Sequence, residues 1–148
     1  MTDKIDDEII QALCQNCRMS SRQLARKLDI HPATLISRIG RLEKSGVIKG
    51  YGAKLDLSAL GYVFLGIVQV KIAKGKLIDT QEKISRVRGV VAVYDVTGEY
   101  DSVAIIAAKS REKFSDLIKS FSQIPFVEHT NTQVILNIVK ESHDFEAV

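Results

Sequence analysis

The spacing of apolar residues changes once along this chain, and that change constrains the fold more than any other feature. Up to about residue 45, apolar residues recur every three or four positions, as on one face of a helix, whereas from Tyr62 strand-like runs alternate with helical segments. A chain of 148 residues can hold one domain or two small ones. The change therefore predicts a first domain at residues 1–55, a linker at 56–61 and a second domain at 62–148.

The first domain is predicted to contain three helices. Asp6 is expected to cap the first helix, and Ser20 or Ser21 the second, which is short. The third is expected to begin at Pro32, which suits the first position of a helix, and to end before Gly46. Four apolar residues lie at helical spacing along it, namely Leu35, Ile36, Ile39 and Leu42.

A short helix, a tight turn and a longer helix follow one another in the order of a helix-turn-helix. Residues 47–55 come next and have a strand-like composition that Gly50 and Gly52 interrupt. This segment is predicted to be a strand pair or wing. The first domain is therefore predicted to be a winged helix-turn-helix.

The second domain is predicted to have the element order β-α-β-β-α-β. Strands are expected at residues 62–72, 90–97, 102–108 and 126–139. Helices are expected between the first two strands and after Ser110, and Gly89 and Pro125 lie beyond their ends. Five residues lie at helical spacing in the first of these helices, namely Leu77, Ile78, Gln81, Ile84 and Val87. The order is that of a ferredoxin-like βαββαβ sandwich, and the whole chain is predicted to be α+β.

The first strand of this domain is apolar on both faces. Phe64, Val68 and Val70 alternate with Val63, Leu65 and Ile67. Two helices can cover only one face of an antiparallel sheet, so the other face needs a partner. A second copy of the chain is the expected partner, which predicts a homodimer. Residues 56–60 or the C-terminal tail folding over this face is the alternative.

Positive charge is concentrated in the first domain. The chain carries a net charge of +3, and between Arg18 and Lys54 there are nine basic residues against two acidic ones. Residues 61–148, in contrast, contain eleven residues of each sign. A basic module beside a neutral one indicates that the first domain binds a polyanion, and double-stranded DNA fits a helix-turn-helix.

Several segments resemble the Lrp/AsnC (feast/famine) family of transcriptional regulators. Residues 5–13 resemble its opening helix, residues 38–51 its recognition helix and wing, residues 60–62 its linker exit and residues 98–101 its effector-domain turn. The resemblance implies a homodimer that often assembles into octamers and responds to amino acids bound at the effector domains. Two positions depart from the family pattern, namely His31, where the family usually has serine, and Gly40, where it usually has a longer residue.

The third helix carries the predicted DNA contacts. If Leu35, Ile39 and Leu42 face the core, the opposite side of the helix is exposed. Thr34, Ser37 and Arg38 lie on or beside that side and are expected nearest the bases. Phosphate contacts are expected from other polar and basic residues of the domain. These residues are Ser21, Arg22, Arg41, Lys44 and Lys49, with His31 added as the residue that precedes the helix.

The effector site is expected at Gly98, Glu99, Tyr100 and Asp101. Open amides in this turn would bind a carboxylate, and Glu99 or Asp101 would pair with an ammonium group. A turn glycine and a capping aspartate also explain Gly98 and Asp101 structurally. Family resemblance extends the site to Thr130, Thr132 and Gln133, which equally suit a strand with outward polar positions.

The sequence gives little support for metal binding, redox chemistry or catalysis. Cys14 and Cys17 form a single CxxC without further zinc ligands, which favours ordinary thiols, with a helix-end disulfide as the alternative. Neither a metal, a cofactor nor a catalytic constellation is predicted, so the protein is not expected to be an enzyme. The longest apolar run, residues 62–68, is too short to span a membrane, and the acidic start lacks a signal-peptide core, which predicts a cytoplasmic protein.

The sequence therefore predicts a sequence-specific transcriptional regulator whose assembly or DNA affinity responds to a small effector, an amino acid by resemblance. The alternative is a nucleoid-type architectural protein that binds DNA without a ligand.

Overall fold

The computed structural model describes residues 2–141, which form two compact units built on residues 2–54 and 55–139. The first unit is helical, and the second consists of a four-stranded sheet with two helices. The predicted α+β fold class is confirmed. Within residues 2–141 no helix is long and apolar enough to cross a membrane.

The first helix, α1 (Lys4–Gln15), begins earlier than predicted. Asp3, and not Asp6, is its N-cap, and the Asp3 side chain accepts a hydrogen bond from the Asp6 amide at 2.9 Å. The Asp6 side chain accepts in return from the Asp3 amide, which completes a capping box. The prediction for Asp6 was wrong because two acids three positions apart can satisfy each other's amides, and the first then becomes the cap.

The next two helices form the helix-turn-helix. Ser20 caps α2 (Ser21–Lys27), and its side chain accepts from the Gln23 amide. His31 caps α3 (Pro32–Lys44), since its Nδ1 accepts from the Ala33 amide at 3.2 Å. The His31 imidazole thus acts as an N-cap, a role for which serine is among the preferred residues. The three helices enclose a core of Ile9, Ala12, Leu24, Ala25, Leu35 and Leu42.

Ile36 lies outside this core, although it shares the helical spacing of Leu35, Ile39 and Leu42. Its exposed fraction is 57%, whereas Leu35 is fully buried and Ile39 packs partly against the core. Successive residues of a helix are about 100° apart, so a residue next to Leu35 is turned well away from the core. Helical spacing of apolar residues alone therefore does not show that Ile36 is exposed.

Residues 47–55 contain no strand, although all of them are described, so the predicted strand pair is wrong. The Ile48 amide donates to the Leu42 carbonyl, and the Ile48 side chain packs against the helical core. Gly50 and Gly52 supply no side chains that could pack across a strand pair, and Val47, Tyr51 and Leu55 are exposed. The wing is therefore an irregular segment anchored at Ile48.

The second unit has the predicted order of elements. These are β1 (Phe64–Ile72), α4 (Leu77–Ser85), β2 (Val90–Asp95), β3 (Ser102–Ala108), α5 (Arg111–Phe121) and β4 (Val127–Ile135). The strands form an antiparallel sheet in the order β2-β3-β1-β4. Three strands are shorter than predicted. In β4, pairing ends where Ile135 meets Leu65, near the start of β1, so the chain beyond has no partner there.

One face of the sheet packs against α4 and α5. Its core includes Val68, Val70, Ile84, Ile106 and Phe121, which are fully buried. Ile78 shares the helical spacing of α4 but is 71% exposed, while Leu77 and Ile84 pack against the core.

On the opposite face of the sheet, the first half of β1 is also apolar, as predicted. Leu65 and Ile67 of β1 lie beside Ala107 and Ile105 of β3. Directly paired residues of an antiparallel sheet share a face, so these side chains form one continuous surface, extended by Ile135 of β4. We call this surface, made of Leu65, Ile67, Ile105 and Ile135, the free sheet face.

Candidate functional site

The exposed face of α3 carries four of the residues predicted to contact DNA. Thr34, Ser37, Arg41 and Lys44 are all exposed. Their spacing of three or four positions places them along one side of the helix. The arrangement provides two hydroxyl groups followed along the helix by two cations, which are suited to base edges and phosphates respectively.

Arg38 is held differently from the sequence-based expectation that it lies nearest the bases. Its Nη1 donates to Asp3 Oδ2 at 2.6 Å and to Asp6 Oδ1 at 2.8 Å. Its side chain is only 22% exposed. Arg38 therefore joins α3 to the start of α1, and a base contact would require it to leave these two carboxylates.

Arg41 shares the same acidic partner but remains accessible. Its Nη2 pairs with Asp6 Oδ2, and its side chain is 59% exposed, whereas the Asp6 side chain is 1% exposed. Burial raises the pKa of Asp6, but the hydrogen bonds from Arg38 and the Asp3 amide, with the charge of Arg41, outweigh it and place this pKa below its ordinary value. Asp6 is thus held ionised between the two arginines.

The remaining predicted phosphate contacts surround α3. Ser21 and Arg22 are exposed in the first turn of α2, and His31 is exposed just before α3. Lys49 is exposed in the wing. Eight of the nine predicted DNA-contacting residues are thus exposed in the first unit. Arg38 is the exception, since it is half-buried and pairs with two carboxylates at once.

Ile36 is a candidate DNA-contacting residue that the sequence-based set of contacts did not include. It is exposed on α3, next to Ser37. An exposed apolar side chain on such a helix can contact the methyl group of thymine in the major groove. The signal was available, because Leu35, Ile39 and Leu42 alone account for the inward face.

The two cysteines line a shallow cleft between α1 and the wing. The cleft has a volume of about 260 Å³ and is also lined by Leu13, Val47 and Tyr51. Both cysteines are free, Cys14 half-buried and Cys17 exposed. Burial and a 2.8 Å hydrogen bond donated to Glu43 raise the pKa of Tyr51 to about 12. Tyr51 thus ties the wing to the end of α3.

The predicted effector turn is fixed to the sheet through Asp101. Asp101 Oδ2 accepts from the Ile72 amide at 2.9 Å, and Oδ1 pairs with Lys71 Nζ at 3.2 Å. The hydrogen bond from Ile72, outweighing burial and aided by Lys71, lowers the pKa of Asp101. Gly98 has a φ of 121°, which favours glycine, and Glu99 is exposed. Asp101 therefore positions the turn, and Glu99 is the acid that faces solvent.

The predicted residues of β4 do not form one group with the turn. Thr130 lies opposite Val70, whose carbonyl accepts from the Asp101 amide, so it is close to the turn. Thr132 lies two positions farther along β4, and Gln133 lies opposite Ile67 on the free sheet face. The structure instead brings His129 to the turn, since its ring stacks on that of Tyr100 with centroids 6.1 Å apart.

A helix-turn-helix with an exposed, basic second helix, followed by a separate sheet domain, defines a DNA-binding protein. Residues 2–49 match the winged helix-turn-helix DNA-binding family, and residues 65–145 match the Lrp/AsnC ligand-binding domain. The chain belongs to the Lrp/AsnC family of transcriptional regulators. It is a DNA-binding regulator with a ligand-binding domain, and not an enzyme.

Known proteins resemble the chain over nearly its full length. An uncharacterised HTH-type transcriptional regulator of Pyrococcus furiosus is 40% identical over 144 residues, which are 97% of each chain. The structure of LrpC from Bacillus subtilis superposes with a TM-score of 0.86 at 28% identity, covering 96% of this chain and 99% of that one. The complex of a Neisseria meningitidis regulator with L-Met superposes with a TM-score of 0.88 at 20% identity, covering 97% and 96%.

Proposed function

We propose that the protein binds specific DNA sequences as a dimer and that a small effector, an amino acid, alters its assembly or its DNA affinity. The observation that carries this proposal is the exposed face of α3, where Thr34, Ser37, Arg41 and Lys44 lie in a row. The hydroxyl groups would contact base edges in the major groove, and the cations would contact the flanking phosphates.

The free sheet face supports the dimer. Leu65, Ile67 and Ile105 are only partly buried within one copy, and Val63 beside them is 62% exposed. Pairing this surface with its own copy would bury these side chains and give a twofold arrangement. A twofold dimer would present two copies of α3 to two DNA half-sites separated by whole helical turns. Further assembly of such dimers, up to octamers, is part of the proposal.

The effector would bind at the turn of residues 98–101. Glu99 faces solvent and could pair with an ammonium group, while backbone amides near Gly98 could bind a carboxylate. Tyr100 and Thr130 would border the site, with Thr132 and Gln133 at its far end. The bound L-Met in the Neisseria meningitidis protein of the same fold supports an amino acid as the effector.

One observation favours the alternative of an architectural protein that wraps DNA without a ligand. Both carboxylate oxygens of Asp101 are already engaged, one by the Ile72 amide and one by Lys71. A turn fixed by its own protein contacts needs no ligand to explain its residues.

A thermal-shift series with the twenty amino acids separates these functions. A specific ligand raises the unfolding temperature by mass action, and Glu99→Gln should remove that shift without lowering the unfolding temperature of the free protein. Asp95→Asn, an exposed acid at the end of β2, is the matched control and should leave the shift intact. DNA binding without a shift from any amino acid would favour the architectural protein.

A further inference from the structure

A second cleft lies in the sheet unit, at the end of β3 away from the 98–101 turn. Its volume is about 530 Å³, within the range of small-molecule sites, and it lies between the start of β2, the end of β3 and one side of α5. The turn precedes Ser102 and the cleft begins at Ala107, so the length of β3 separates them by about 20 Å. The cleft is therefore a different place from the proposed effector turn.

The rim of the cleft is positively charged. Arg88, Lys109 and Lys113 line it together with a single acid, Asp116. The three cations come from the loop before β2, the loop before α5 and α5 itself. Within residues 2–141 no ion pair holds any of the three. Cations that converge on a concavity without a carboxylate partner leave a site of net positive charge.

The floor and one wall of the cleft are apolar. Leu117 and Val87 contribute aliphatic surface, and the ring of Tyr62 lies 4.8 Å from the Lys109 ammonium group. The cation–π contact directs Lys109 toward the cleft. Gly89 makes the floor close-fitting, since an added Cβ would lie 2.8 Å from Leu117 Cδ2 and its φ is 102°. The cleft thus combines a fixed apolar floor with a cationic rim.

We propose that this cleft binds a small organic acid that carries two negative charges on a short aliphatic body. The acidic groups would pair with Arg88, Lys113 and Lys109, and the body would lie on Leu117 and Val87. A dicarboxylate and a phosphate ester both have this chemistry. This inference goes beyond the proposed function, and neither DNA binding nor the 98–101 turn is needed for it.

The test is isothermal titration calorimetry on the full chain at low ionic strength, with succinate and glycerol 3-phosphate as separate probes. One of the two is expected to bind, and the tighter one identifies the acidic group that the cleft prefers. Arg88→Gln and Lys113→Gln should each weaken binding about two- to fivefold, as expected for partly exposed ion pairs. Lys119→Gln, an exposed lysine of α5 outside the cleft, is the matched control and should leave the affinity unchanged.

Substitution of Asp116 should change the affinity for the probes in the opposite direction. Asp116→Asn removes the one negative charge of the rim, so it should tighten the binding of both probes by about two- to fivefold. A protein that only attracts anions through its net charge would respond equally to Lys119→Gln and Lys113→Gln, and that result would overturn the proposal. Absence of heat with both probes at millimolar concentration would overturn it as well, whether or not the chain binds DNA.

Discussion

Asp6 at the start of α1 accepts a 2.8 Å hydrogen bond from Arg38 in the middle of α3, although 32 positions separate them. The Asp6 carboxylate is almost inaccessible to solvent and also pairs with Arg41. A buried carboxylate is tolerated only when it is paired and hydrogen-bonded, and here two arginines and one amide do this. The acidic N-terminus therefore sets the position of the proposed DNA-contacting helix.

The stability of the first unit should depend on pH through this carboxylate. The pKa of Asp6 and that of Asp3 are lowered in the folded protein, so their contribution is complete above the ordinary value of 3.8 and is lost as pH falls through the lowered values. Urea unfolding followed by circular dichroism between pH 2 and pH 7 should show this loss. Asp6→Asn should flatten the profile below pH 5, and a variant profile that matches the wild type would contradict the role of this carboxylate.

The two arginines of α3 should respond differently to truncation. Arg38→Ala removes a donor to both acids and leaves Asp6 less well paired, so the unfolding temperature should fall clearly. Arg41→Ala removes a more exposed partner and should change the unfolding temperature little while weakening DNA binding. Differential scanning calorimetry and fluorescence anisotropy on the two variants measure both effects. Equal unfolding temperatures would contradict the positioning role of Arg38.

Gly40 tests how closely α3 approaches DNA. An added Cβ at Gly40 meets nothing within 4 Å, so Gly40→Ala should stabilise the helix by about 1 kcal/mol. Gly40 follows Ser37 by three positions and precedes Lys44 by four, on the proposed DNA face. The added methyl group should therefore weaken DNA binding even though the protein is more stable. Greater stability with unchanged affinity would show that this part of α3 stays away from the groove.

Tyr51 should ionise at a higher pH than an ordinary tyrosine. Its pKa is raised to about 12 in the folded protein. The stability provided by its hydrogen bond to Glu43 is therefore fully present below pH 10, the ordinary pKa of tyrosine, and is lost as pH rises through about 12. The absorbance of tyrosinate at pH 11 should be nearly the same for the wild type and for Tyr51→Phe. A lower absorbance in the variant would mean that Tyr51 titrates normally and that the wing is not held to α3.

Sequence periodicity was sufficient to predict the order of helices and strands, because each of these elements buries residues at the spacing typical of a helix or a strand. Val68 and Val70 of β1 and Leu35 and Leu42 of α3 were all placed correctly by their spacing. Spacing did not show that Ile36 and Ile78 are exposed, because each follows an inward residue and only an angular argument separates such neighbours. The wing was misassigned because a strand needs a partner, which local sequence does not specify.

The candidate site could be found from the sequence only in outline. Spacing predicted which side of α3 faces outward, and Thr34, Ser37, Arg41 and Lys44 are indeed exposed. It could not predict that Arg38 is held by Asp3 and Asp6, since that contact depends on how two distant helices pack. Likewise, the separation of Gln133 from the turn depends on the register of β4 against β1.

The most direct test of the account is a salt titration of DNA affinity with variants of the exposed face of α3. The logarithm of affinity for a duplex selected by the wild-type protein should fall linearly with the logarithm of salt concentration. Arg41→Ala combined with Lys44→Ala should weaken binding and reduce the slope by roughly two, about one for each lost phosphate contact. Lys119→Ala should change neither quantity. An unchanged affinity and slope in the double variant would contradict the claim that α3 binds DNA through this face.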